Sequence, residues 1–181
     1  MTSYVSQRAW SDRYISEIKR IIGPLLLMEA PEQKDTREAT DLIVFTARNL
    51  DIACRVRKPK YYDEYPFEFT IRKAALNGGK TEWDKIREGF GDWMFYGFAA
   101  DEFDPSQGFA AWYVIDLHIL RAEMISFAMW SMNKRLPRPF LAADRQNGDN
   151  TAFKAYDLRT FIRRDVLIAS SCEIPWIKEA A

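Results

Sequence analysis

Hydrophobic and polar positions along this chain follow two periods, and each change of period marks an element. Trp10, Tyr14, Ile18, Ile21, Ile22 and Leu25 recur at helical spacing with charges between them. That stripe predicts a first helix over residues 7–22, ended by Gly23-Pro24. Residues 30–38 are polar and contain Pro31, which reads as a loop. Three strand-like runs follow, over 41–48, 51–57 and 67–72. Asn49-Leu50 separates the first two and predicts a tight hairpin. In the second run Ile52, Cys54 and Val56 alternate with Ala53, Arg55 and Arg57, so one face is expected to be buried and the other basic. In the third run Phe67, Phe69 and Ile71 oppose Glu68, Thr70 and Arg72. The intervening 58–66 reads as a loop crowded with Tyr61, Tyr62 and Tyr65.

Further along, Asn77-Gly78-Gly79 reads as a turn and Thr81 as a helix N-cap. Trp83, Ile86 and Phe90 form the apolar stripe of that helix, and Gly89 and Gly91 end it. Residues 93–99 and 111–117 read as strands, and 119–133 as a helix. Leu136-Pro137-Arg138-Pro139 breaks the chain. A turn over 146–150, a strand over 152–156, a short basic helix over 158–164 and a small tail complete it. A three-strand meander with helices segregated beside it is an α+β pattern.

Composition narrows this picture only a little. A chain of 181 residues, 48% hydrophobic and 14% aromatic, has enough apolar surface for one substantial core. Its 26 basic and 26 acidic side chains cancel. Zero net charge argues against a generic polyanion binder and leaves room for a local basic patch. Cys54 and Cys172 fit no metal spacing and are expected as buried thiols in a reducing compartment. No signal peptide is visible. No apolar run approaches the roughly 20 residues of a membrane span. A soluble cytoplasmic protein without membrane contact is expected.

The chemistry concentrates in residues 35–98. Asp41 opens one strand and Glu68 lies on the polar face of another. Two carboxylates converging from adjacent strands make a hard-oxygen site suited to Mg2+ or Mn2+. The plainer alternative is that Asp41 caps a turn and Glu68 pairs with Arg55 or Arg57 across strands, a contact of about 0.2–1 kcal/mol. Arg55, Arg57, Arg72, Lys80 and Lys85 can form a basic patch for phosphates, or a solvated face balanced by Glu68, Glu82 and Asp84. Tyr61, Tyr62, Tyr65 and Phe67 can stack on unpaired bases or seal the core. His118, the only histidine, reads as structural. Gly78-Gly79-Lys80-Thr81 is no phosphate loop, because position 74 is Ala.

The order helix–strand–strand–strand–helix–strand, with Thr40-Asp41 and then Glu68-Phe-Thr-Ile-Arg72, resembles the core of the PD-(D/E)XK nuclease superfamily over residues 3–117. The strings 53–57 and 93–98 are similar to those of phage and prophage proteins placed in that superfamily. The resemblance implies an αβββαβ restriction-endonuclease-like core over 1–134. Its mixed central sheet would be flanked by helices, with a C-terminal extension over 135–181 packed on the same domain. It also implies Asp41 and Glu68 as ligands of Mg2+ or Mn2+. Lys80 or Arg72 would stand in for a catalytic lysine that the family places at position 70. Thr70 departs from that pattern. Arg55, Arg57 and Lys85 would hold the backbone of DNA or RNA, in a monomer or a homo-oligomer, in the host cytoplasm for a phage-encoded chain. The function expected is a Mg-dependent DNA nuclease, endonuclease or exonuclease. The alternative is a non-catalytic phage accessory protein that binds nucleic acid or a host protein through the same sheet face.

Overall fold

The computed structural model describes residues 4–29, 42–44, 50–74, 79–146 and 151–177. The chain divides into two units, Met1–Leu50 and Asp51–Ala181. In the first, the expected single helix is two: α1 (Tyr4–Asp12) and α2 (Ile15–Ile22). The backbone turns at Arg13 and Tyr14, where the Tyr14 N–H donates to the Ser11 carbonyl at 3.1 Å. Tyr14, Ile18 and Ile22 are buried as the stripe requires. A short 3-10 turn leads to β1 (Leu27–Glu29), which pairs antiparallel with β2 (Leu42–Val44). β1 has too few positions to reveal alternation, and its one leucine, Leu27, follows the helical stripe in sequence.

The second unit holds β3 (Ile52–Arg57), α3 (Lys60–Glu64), β4 (Glu68–Ala74), α4 (Glu82–Arg87), β5 (Trp93–Ala99), β6 (Phe109–Asp116), α5 (Leu117–Met132), β7 (Ala142–Gln146), β8 (Ala152–Asp157) and β9 (Leu167–Ser170). One sheet has the order β3-β5-β6-β9 and the other β4-β8-β7. β3 runs parallel to β5, and every other pair is antiparallel. This is the α+β class with a mixed sheet and flanking helices.

The expected three-strand meander does not form. β2 pairs with β1, β3 with β5, and β4 with β8 in another sheet. Strands 51–57 and 67–72 are adjacent in sequence, but α3 turns the chain between them, so β4 leaves the first sheet. β3 then meets β5 in parallel, through the long crossover that such a pair needs. The stretch after 134 supplies β7 and β8 to one sheet and β9 to the other, and so completes both. The basic helix expected over 158–164 is two 3-10 turns, Leu158–Thr160 and Arg164–Val166.

β5 reads as a continuous apolar run because it is central in its sheet: Met94 through Ala99 are all buried. Gly97 permits this, since a Cβ there would lie 2.7 Å from the Phe109 ring. Thr81 caps α4 as expected, and Asp84 completes a reciprocal capping box. Gly91 follows α4 at φ +77°, where a side chain would also meet Leu117 at 2.9 Å.

Candidate functional site between the two sheets

β3 presents the face that its alternation left for solvent. Cys54 is exposed, whereas Ala53 packs against the core of the second unit. Arg55 and Arg57 share the Ala53 face and are drawn inward with it. The expected burial of Ile52, Cys54 and Val56 against that core is therefore corrected, and so is the expectation that Cys54 is a buried thiol. The inward face is basic because acids and aromatics from other elements receive it. Arg55 Nη1 donates to Glu82 Oε2 at 2.7 Å, and the Arg72 N–H donates to the same oxygen at 3.1 Å. Glu82, the first residue of α4, thus links β3 to β4, the edge strands of different sheets.

Between these edges lies a cavity of about 40 Å3. Arg57 from β3 lines it, with its guanidinium 4.0 Å from the Tyr61 ring centre. Arg57 Nε is buried and has no hydrogen-bond partner, and no carboxylate among the described residues pairs with this arginine. Burial pushes the Arg57 pKa down. Tyr96 and Tyr61 oppose that shift, while the like charges of Arg55 and Arg72 add to it. The group stays charged, since guanidinium does not deprotonate in proteins.

β4 contributes Glu68 and Thr70 to the same cavity, two residues apart as one strand face requires. The Thr70 and Tyr96 hydroxyls lie 3.1 Å apart and join the two sheets. Arg145 of β7 also lines the cavity, 4.2 Å from the Tyr65 ring centre. Its Nη2 donates to Glu68 Oε1 at 2.9 Å and lies 2.8 Å from Oε2, which has no hydrogen bond of its own. Burial pushes the Glu68 pKa up, Arg145 opposes this, and Asp157 adds to it from the paired position on β8. Arg159 neutralises Asp157 with two bonds, of 2.9 and 2.7 Å.

The structure brings together Arg55, Arg57, Arg72 and Glu68 among the predicted site residues, and leaves the lysines elsewhere. Lys80 pairs with Glu88 at 2.8 Å on the surface, and Lys85 is exposed. Neither lines the cavity. Glu68 pairs with Arg145, not with Arg55 or Arg57, because β4 is in the other sheet. Asp41 lies outside the described residues. Among the described residues no group of three or more His, Cys, Asp or Glu is arranged to hold a metal. The one described carboxylate of the expected pair carries an arginine across both oxygens, and by itself makes no octahedral oxygen shell.

Local sequence carried no signal for Arg145. It sits on a five-residue strand beside Asp144, without apolar alternation. His118, expected as structural, is held at both ring nitrogens: its Nε2 lies 2.9 Å from Asp92 Oδ1, and its Nδ1 is 2.8 Å from Arg121 Nη2. Arginine only donates, so Nδ1 is the acceptor and the ring's N–H is on Nε2. No helix among the described residues is long and apolar enough to cross a membrane. No family model, no curated protein and no solved structure matches the chain.

Proposed function

We propose that this chain binds nucleic acid through its phosphate backbone, at the arginine-lined edges of β3 and β4. The observation that carries this reading is the grouping of Arg55, Arg57 and Arg72, with the charges of Arg55 and Arg72 close enough to act on Arg57. Glu82 accepts from Arg55 and from the Arg72 N–H among them. Guanidinium groups suit phosphate oxygens by charge and by their forked donors. Such a patch works locally and needs no net positive charge on the chain.

The test is fluorescence anisotropy with single-stranded and duplex DNA and RNA, in EDTA, over a series of salt concentrations. Binding should weaken as salt rises, and Arg55→Ala should lower affinity and flatten the salt dependence by about one unit. Absence of salt-dependent binding to any of the four would sink the reading.

A second reading, the metal-dependent nuclease, is favoured by one observation. Position 70, where the resemblance would put a lysine, faces the same cavity as Glu68. On that reading Asp41 and Glu68 hold Mg2+ or Mn2+, Arg72 or Lys80 supplies the positive charge, and Arg145 must release Glu68. Thr70→Lys should then raise metal-dependent cleavage, and Glu68→Gln should abolish it. Equal cleavage by all three proteins would count against this second reading.

A further inference from the structure

We propose that the cavity between the sheets is a site for a single phosphate group, gripped by Arg57 and Arg145. The Glu68 carboxylate would be the resident counter-ion that the ligand displaces from Arg145. This deepens the nucleic-acid reading, and rests on it only for the source of the phosphate.

Charge is the first ground. The walls carry Arg57, Arg145 and Glu68, and among the described residues only Arg145 of the two arginines has an acid. Arg57 is a largely desolvated cation whose Nε meets neither a carboxylate nor a hydroxyl. An uncompensated buried charge is costly, and an anion entering the cavity relieves it. The second ground is the surplus of hydrogen-bond donors. Thr70 and Tyr96 share one hydroxyl bond, which uses one of their two protons. The other proton is left for a third acceptor. Donors therefore come from β3, from β7 and from the hydroxyl pair that joins β4 to β5. A tetrahedral group with oxygens on all sides suits this better than a planar carboxylate.

Size is the third ground. One water needs about 10–15 Å3. A cavity of about 40 Å3 therefore takes a few waters or the oxygens of one phosphate, and excludes a nucleobase. Finally, Tyr61 and Tyr65 hold the two guanidinium planes in place, so less side-chain freedom is lost on binding.

The experiment is titration of the protein with inorganic phosphate, followed by calorimetry and thermal shift, against sodium chloride of matched ionic strength. Phosphate should bind saturably and chloride should not. Arg57→Gln should weaken phosphate binding about tenfold or more, the scale of a lost charged hydrogen bond. Glu68→Gln should tighten it, a gain that misfolding cannot mimic. Phosphate affinity unchanged in Arg57→Gln, or no tighter in Glu68→Gln, overturns the proposal. A labelled oligonucleotide supplies the second arm. Competition by inorganic phosphate, lost in Arg57→Gln, supports a phosphate of the nucleic acid as the ligand. Phosphate binding that is Arg57-dependent but does not compete supports the cavity with a free phosphate as its ligand, and removes nucleic acid from it. Salt-dependent oligonucleotide binding with no inorganic phosphate binding overturns the cavity proposal and leaves the backbone reading standing.

Discussion

The cavity between the sheets and the junction at the start of α5 are built from the same residue types and come out differently. At the junction His118 sits between Asp92 and Arg121. Asp92 also accepts from the Asp51 N–H at 2.9 Å, Arg121 donates to the Gly91 carbonyl at 3.1 Å, and Asp116 caps the helix. The groups of this ring bind one another, and His118 remains over half exposed, at 53%. In the cavity, by contrast, Arg57 Nε is buried without a hydrogen-bond partner. Polar groups that close on themselves hold a turn to a helix. Polar groups left over after packing mark a place for something else.

The largest expected effect that tests this contrast is on stability. Arg145→Ala leaves the Glu68 carboxylate partly buried without its cation, which should cost about 1–3 kcal/mol in urea unfolding. The side chains are 30% and 21% exposed, so solvent screening keeps this well below the cost of breaking a fully buried pair. Adding Glu68→Gln should recover most of the loss. A double variant as unstable as the single one would show that packing of Arg145 on Tyr65, not the charge pair, is what matters.

A smaller effect is expected in pH dependence. The folded pKa of Glu68 is raised above its ordinary 4.5, chiefly by burial. The native state therefore holds this proton more firmly than the unfolded chain does. Stability from this group is full below 4.5 and is lost as pH rises through the raised value. Wild-type stability measured relative to Glu68→Gln should fall over that window. A difference that rises with pH would mean that Arg145 outweighs burial.

The smallest effect should come from the junction. His118→Ala removes two partly exposed hydrogen bonds and should cost about 1 kcal/mol. It should leave affinity for phosphate or oligonucleotide unchanged. A binding defect in His118→Ala would erase the distinction between the two regions.

Much of the local structure is legible in sequence. Thr81 announces a capping box with Asp84, because a hydroxyl and a carboxylate three residues apart close it without help from elsewhere. The run 93–99 is a strand at the expected bounds, since seven apolar and aromatic residues flanked by turn formers admit little else. His118 reads as structural, and its ring is bonded to Asp92 and Arg121. The resemblance to a nuclease core put Arg55, Arg57, Arg72, Lys80, Lys85 and Glu68 in one site, and of these the structure sets Arg57 and Glu68 on the cavity and the two lysines away from it. It gave no hint of Arg145, Tyr96 or Asp157.

Sequence by itself determined the strand over 93–99, the Thr81 cap, the α+β class, and the inventory of charges on β3 and β4. These depend on period, caps and turn residues, which act over a few positions. Tertiary structure alone decided that β3 turns its arginines inward, that β4 joins β8, and that Glu68 meets an arginine 77 residues away. Alternation tells which residues share a face of a strand, but not which face meets the core. That choice, and the partner of every buried charge, belongs to long-range strand pairing.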